Sequence, residues 1–250
     1  MIVTDTPEKG IAVITLNRPE KRNALSIALL QQLASTIQKY SDDIDTRCII
    51  ISGNGPVFCA GLDLHEASDP AKIEQSAEAL AHAFSILQHS PKITIAAVHG
   101  AAIAGGAGLL CACDYAVATK ETQFAFPETY RGLIAIQILP LLYRQMAPRA
   151  IRELLLIGKT IDANDALRLG VINQISNSLH LDAIDVARHA MKGAPKAIEE
   201  TKQMIEKFFP TDFDHDLQMA LKFHELMRSS PEAAEGIQAF QQKRKPSWQQ

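Results

Sequence analysis

The sequence predicts an α/β protein, a core of parallel βαβ units followed by an all-helical tail. Three observations carry this reading. Short apolar, β-branched runs alternate with helical periodicity through the first half of the chain. Those runs hold few polar residues, as strands buried on both faces do. Beyond about residue 137 the strand signal nearly vanishes, and helical segments punctuated by Pro148, Pro195, Pro210 and Pro231 follow one another.

Taken in order, Ile11–Leu16 reads as a strand that Asn17, Arg18 and Pro19 break. Ala24, Leu25, Leu29, Leu30, Leu33 and Ile37 recur at helical spacing and predict an amphipathic helix over 24–40. The run 48–52 (CIIIS) is a buried strand, ended by the loop Gly53-Asn54-Gly55-Pro56. A helix is expected over 70–90, then the strand Ile93–Val98, a Gly/Ala-rich turn, a short helix through about Cys113 and the strand Tyr115–Thr119. The tail reads as helices near 137–147, 150–157, 162–169, 181–192, 196–208, 212–229 and 231–243. We divide the chain into an α/β core over 1–190, carrying the site, and a helical region over 191–250.

A chain of 250 residues can bury a sizeable core as one large domain. Its formal net charge of -3 gives no global basic field for nucleic acid. No apolar stretch reaches the ~20 residues of a membrane span, and no secretory leader pattern opens the sequence. The expected location is cytoplasmic, or an organelle for a mature form. Cys48, Cys59, Cys111 and Cys113 sit in apolar runs without C-x-x-C spacing, which predicts buried free thiols. The eight histidines are scattered without metal-ligand spacing, so no metal site is expected. G-x-S-x-G, the phosphate-binding G-x-x-x-x-G-K-[ST] and G-x-G-x-x-G are all absent.

Three segments carry chemistry. Phe58-Cys59-Ala60-Gly61-Leu62-Asp63-Leu64 follows one buried strand, and Val98-His99-Gly100-Ala101-Ala102-Ile103-Ala104-Gly105-Gly106-Ala107-Gly108-Leu109 follows the next. Both lie beyond the carboxyl ends of parallel strands, where α/β sheets bind ligands. Their small residues allow close approach to the backbone, and a helix beginning at each leaves N–H groups unsatisfied. Two such ends facing one gap make an oxyanion hole without side chains. Tight packing is the structural alternative for both, and Asp63 has the further option of capping a helix. The third segment, Phe124-Ala125-Phe126-Pro127-Glu128, sets one carboxylate among apolar residues, where desolvation raises its pKa toward acid–base use. A turn with a first-turn carboxylate is its structural alternative. His99, Tyr130 and Arg131 lie near these segments and are read as structural.

In order and spacing, N-R-P-E-K-R-N-A-L, F-C-A-G-L-D-L, V-H-G-A-A-I-A-G-G-A-G-L, A-C-D and F-A-F-P-E resemble the enoyl-CoA hydratase/isomerase (crotonase) superfamily. The resemblance covers about 10–175, including I-D-A-N-D-A-L-R-L-G-V-I-N at 161–173, and the final E-G-I-Q-A-F-Q-Q-K-R-K-P-S-W is similar to the family's tail. It implies a spiral of ββα units with a C-terminal helical region that builds homotrimers or hexamers. It implies an acyl-CoA substrate and no separate cofactor, since coenzyme A belongs to the substrate. The thioester oxygen would lie between the N–H groups of Ala60 and Gly105, and the acyl-CoA would run along Ala60, Gly61, Leu62, Asp63, Leu64 and Gly108. Lys21 and Arg22 would sit near the CoA phosphates, with a solvated turn as the alternative. Lys243, Arg244 and Lys245 could reach the CoA of a neighbour, with an exposed basic tail as the alternative.

The sequence departs from the family pattern at one catalytic position. Hydratases of this kind use two glutamates, and Glu128 matches one of them. The other position is Gly108, which has no side chain to give. A lone glutamate resembles the pattern of some double-bond isomerases. It also resembles glycine-bearing 3-hydroxyacyl-CoA hydrolases, but Ile136 stands where those carry an Asp. Hydration of a 2-enoyl-CoA is the expected reaction. Isomerisation of a 3-enoyl-CoA by Glu128 alone, thioester hydrolysis, and a non-catalytic acyl-CoA or RNA binding module are the alternatives. Acyl selectivity is expected from the stretch after Leu64 through about Gln75 and from the helical tail.

Overall fold

The computed structural model describes residues 1–67 and 69–249. The elements are β1 (Ile2–Glu8), β2 (Ile11–Leu16), α1 (Ile27–Asp42), β3 (Cys48–Gly53), α2 (Leu64–Ala67), α3 (Ile73–His89), β4 (Ile93–Val98), β5 (Ala101–Ile103) and α4 (Gly105–Cys111). Then come β6 (Tyr115–Thr119), β7 (Gln123–Ala125), α5 (Leu139–Gln145), α6 (Pro148–Arg152), α7 (Ala163–Leu169), β8 (Gln174–Ser176), α8 (Leu179–Ala190), α9 (Pro195–Phe208), α10 (Phe213–Arg228) and α11 (Pro231–Gln241). Short 3-10 turns lie at Pro19–Lys21 and Glu128–Arg131, and a π-helical turn at Glu153–Ile157 extends α6.

Among the described residues the main sheet has six strands in the order β1-β2-β3-β4-β6-β8. Its β1–β2 pair is antiparallel and every later pair is parallel. Strand alternation divides the core between the two faces of the sheet. Ile49, Ile51, Ala96 and Val98 face the large cluster that includes Leu29, Leu33 and Phe84 from α1 and α3. Cys48, Ile50, Ile95 and Ala97 face Leu179, Ala183 and Ala187 of α8. The apolar runs in the sequence are therefore strands covered on both sides.

A second, smaller layer positions the site. β5 pairs with β7 in parallel, and isolated bridges join Leu25 to Leu62, Cys59 to Ala102 and Phe124 to Ile161. Each turn of the chain thus gives one strand to the large sheet and one short stretch to the small layer: β3 then 59–62, β4 then β5, β6 then β7. This is the spiral of ββα units that the sequence leads one to expect.

Some boundaries differ from the sequence reading. The first helix starts at Ile27 rather than residue 24, because the Ser26 side chain accepts the Leu29 N–H and caps it. The helix expected from 70 begins at Ile73. β1, β5, β7 and β8 carry too little apolar alternation to be read as strands; β1 is largely exposed on its solvent side, and the others are three residues long. The helical tail folds back on the core, with α10 packed on α3 and α5, and α11 packed on the Glu128–Arg131 turn. All four cysteines are buried and free, and burial pushes the Cys59 thiol up to about 12. No helix among the described residues is long and apolar enough to cross a membrane.

Candidate active site

The 19–23 turn is riveted to the loop after β3 by a buried side chain. Asn23, held at φ 54°, donates from Nδ2 to the carbonyls of Asn54, Val57 and Phe58 at 2.9, 2.9 and 3.1 Å. Its Oδ1 accepts the Arg18 N–H at 2.9 Å. This sets the 19–23 turn against the stretch that leads into Phe58–Leu64. Cys59 then bridges β5, so the second motif lies alongside.

Where the three motifs meet, a cavity of about 280 Å³ opens. Ala60, Leu62, Asp63, Leu64 and Lys21 line one part of it, Ala104 and Gly105 another, and Glu128 a third. Arg22, Gly61 and Gly108 do not line it. At Gly61, φ 92°, two segments approach closely: a Cβ there would stand 2.9 Å from the Ile103 carbonyl oxygen and 3.6 Å from the Gly105 nitrogen. That contact sets the 61–62 backbone directly beside Gly105.

The backbone hydrogen bonds decide which N–H groups are available. Ala60 N–H is committed, since it donates to the Arg22 carbonyl at 3.0 Å. The sequence-based assignment of Ala60 as an oxyanion donor is therefore corrected. Two residues on, Leu25 N–H donates to the Gly61 carbonyl at 2.8 Å, and Asp63 N–H donates to the Leu25 carbonyl at 3.0 Å. An extended segment bonded to Leu25 through its residues 61 and 63 turns the N–H of residue 62 to the opposite side. Leu62 N–H has no acceptor among the described residues, and neither has Gly105 N–H at the start of α4.

Gly105 is preceded by Ala104 at φ 52°, ψ -124°, a conformation that strains an L residue. Ala104 is locked there from both sides. Its N–H donates to the Ala125 carbonyl at 2.8 Å, and its carbonyl accepts the Gly108 N–H at 3.0 Å.

Glu128 opens the Glu128–Arg131 turn after Pro127. Its Oε2 is sealed from solvent and has no hydrogen-bond partner among the described residues. Burial pushes its carboxyl up to about 7, against the opposing pull of its own backbone N–H and the Arg131 charge. Asp63 is differently placed. It pairs with Arg18 Nη2 at 3.1 Å, and its Oδ1 accepts the His65 N–H at 3.2 Å across the first turn of α2. That is the capping role, and it leaves Glu128 as the carboxyl suited to proton transfer.

At Gly108 a Cβ would stand 2.5 Å from Phe84 Cζ and 3.1 Å from Ile138 Cγ1. Phe84 is fully buried. The space beside position 108 is thus filled by an aromatic ring from α3.

The sequence reading did not single out the rest of the wall. Gln137, His224, Arg228 and Phe240 line the cavity, as does Arg131, which was read as structural. The Arg131 guanidinium lies 4.3 Å from the centre of the Phe240 ring. Arg228 Nη1 donates to His224 Nε2 at 3.2 Å. Burial, with the Arg228 charge beside it, pushes His224 down to about 4, so it is neutral. His224, Arg228 and Phe240 come from the helical tail, and only its contact with the core reveals them. Tyr130 bonds the Ile157 carbonyl and His99 Nε2 bonds the Gly55 carbonyl, both structural. Arg244 is held by Glu235 of its own chain at 2.6 and 2.7 Å. His65 lines the cavity within the stretch expected to set selectivity, and Ser68 of that stretch lies outside the described residues. Among the described residues no cluster of His, Cys, Asp or Glu is placed to hold a metal ion.

A family model described as enoyl-CoA hydratase/isomerase matches residues 6–250. The chain belongs to the enoyl-CoA hydratase/isomerase family. It is similar to the human enoyl-CoA hydratase domain-containing protein 3, mitochondrial, at 33% identity over 96% of this chain and 80% of that protein. It is similar to the enoyl-CoA isomerase/hydratase fer4 of Mycosarcoma maydis at 32% identity, over 95% of this chain and 92% of that one. Its fold matches the crystal structure of an enoyl-CoA hydratase from Mycobacterium avium with a TM-score of 0.89 and 31% identity, over 99% and 98% of the two chains. As a member of this family the chain is an enzyme of the lyase or isomerase kind. In this chain Glu128 lines the cavity and Phe84 fills the space beside Gly108.

Proposed function

We propose that the chain adds water to a 2-enoyl-CoA. The thioester oxygen lies between the N–H groups of Leu62 and Gly105, and Glu128 moves the proton. The observation that carries this reading is one cavity holding two uncommitted backbone donors and one buried carboxyl with its pKa raised to about 7. Donors fixed before reaction stabilise the enolate oxygen without reorganising, and one such donor is worth roughly 2.7–4 kcal/mol. A carboxyl poised near neutral pH can take a proton and give it back. Lys21, on the wall, meets the CoA phosphates. No separate cofactor is invoked.

Isomerisation of a 3-enoyl-CoA is the second reading, and the filled space at Gly108 favours it, because a single acid suffices to move a proton between two carbons. Incubation with 2-enoyl-, 3-enoyl- and 3-hydroxyacyl-CoAs in heavy-oxygen water, read by mass, separates the two. Incorporated oxygen without thiol release supports hydration. An unchanged mass with a moved double bond supports isomerisation and sinks the hydration reading.

The same reading takes the enzyme as cytoplasmic and as a homotrimer or hexamer. The exposed apolar side chains Tyr143, Met219, Phe223 and Leu226 on α5 and α10 support self-association. Sedimentation and cell fractionation test the two.

A further inference from the structure

Gln137 belongs to no motif of the sequence, yet it sits on the cavity wall at 2% exposure. Its Nε2 donates to the Ala77 carbonyl on α3 at 3.0 Å. Only the donor end of an amide can face a carbonyl, so this bond fixes which end is which. The other end, Oε1, is buried and has no donor among the described residues. A buried acceptor left without a donor costs stability, and in native proteins such a group calls for an explanation. The same cavity contains a second acceptor in that condition, Glu128 Oε2. Gln137 also precedes Ile138, the residue that would touch a side chain at position 108.

We propose that Gln137 Oε1 is the second acceptor for the water that adds to the substrate, holding one of its hydrogens while Glu128 takes the other. The proposal rests on the hydration reading above. A water oxygen has two hydrogens to place, and two acceptors on one cavity wall fix its lone pairs toward the substrate. As the oxygen bonds to C3, the π electrons of the double bond move through C2 to the thioester oxygen. The proton facing Glu128 passes to that carboxylate, and the other hydrogen stays on the new hydroxyl, still bonded to Gln137. Glu128 then returns its proton to C2, and the thioester carbonyl reforms. Gln137 neither gains nor loses a proton. It replaces the acceptor function of a second carboxylate, not its charge.

The test compares wild type, Gln137→Met and Gln137→Glu in two assays. One is hydration of a 2-enoyl-CoA. The other is exchange of the C2 hydrogens of a saturated acyl-CoA in deuterium oxide, which needs the oxyanion donors and Glu128 but no added water. Gln137→Met should lower kcat for hydration roughly 10- to 100-fold, the size of one hydrogen bond, with exchange unchanged. Gln137→Glu keeps an acceptor oxygen and should recover most of that loss. Undiminished hydration in Gln137→Met overturns the proposal, and so does a parallel fall of hydration and exchange, which would mark Gln137 as packing alone. If wild type exchanges C2 hydrogens but does not hydrate, the hydration reading itself has failed and takes this proposal with it.

Discussion

The carbonyl oxygen of Arg22 takes the N–H of Ala60 at 3.0 Å. In the site proposed above, this one bond moves the oxyanion donor two residues along the chain. Ala60 N–H is taken by the Arg22 carbonyl, Gly61 N–H lies against the Cys59 thiol and Asp63 N–H is taken by the Leu25 carbonyl, so along 60–63 the uncommitted N–H is that of Leu62, which lines the cavity. Arg22 itself, left-handed at φ 52°, contributes to the site through its main chain.

Glu128→Gln should lower turnover roughly 10²- to 10⁴-fold while acyl-CoA binding persists in calorimetry. In wild type the rate should rise with pH through about 7, as the carboxyl ionises to act as base. Stability should run the other way. The native carboxyl holds its proton up to about 7, whereas an unfolded glutamate releases it near 4.5. Its contribution is therefore complete below about 4.5 and is lost as pH rises through about 7, by on the order of 3 kcal/mol. Urea titrations at pH 5 and pH 8 should show this decline in wild type and not in Glu128→Gln. Equal slopes in the two proteins would remove Glu128 from its buried setting.

Gly61→Ala should abolish activity. At φ 92° a Cβ would stand 2.9 Å from the Ile103 carbonyl oxygen and 3.1 Å from Ala104 Cβ. The two backbone segments must part, and the donors of Leu62 and Gly105 part with them. The backbone strain should also cost about 1–3 kcal/mol in denaturant titration. A fully active, equally stable variant would contradict the close approach.

Ala104→Gly should stabilise the fold by about 1 kcal/mol, because glycine adopts φ 52°, ψ -124° without the clash that alanine suffers. Activity should stay within a few-fold, since Ala104 offers the reaction only its backbone. A loss of stability in urea would show that its methyl group packs more than it strains.

Gly108→Glu should not create a two-carboxylate site. With Phe84 Cζ 2.5 Å from the new Cβ, the substitution should destabilise by about 1–3 kcal/mol. In a Phe84→Leu background the same change should cost less, and the double-mutant cycle reads the difference as coupling. Additive effects would mean that Phe84 does not occupy the space.

The sequence carried the core strands because β3, β4 and β6 are apolar on both faces, and Glu128 and Gly105, each in a dense motif, do meet at one cavity. It did not carry the small layer, whose strands are three residues long and are defined by partners rather than by pattern. Nor did it carry the direction of a single N–H: Ala60 and Leu62 differ in which strand takes their neighbours' bonds, and no side chain records that. Gln137, His224, Arg228 and Phe240 were illegible for a related reason. They reach the cavity through contacts between elements far apart in the chain.

The most direct test of this account is a crystal structure with an acyl-CoA bound. The thioester oxygen should lie within hydrogen-bond reach, about 2.7–3.2 Å, of both the Leu62 and Gly105 nitrogens, with the bond from Ala60 to Arg22 intact. A thioester oxygen on the Ala60 nitrogen with the Arg22 carbonyl displaced, or one touching neither Leu62 nor Gly105, would contradict it.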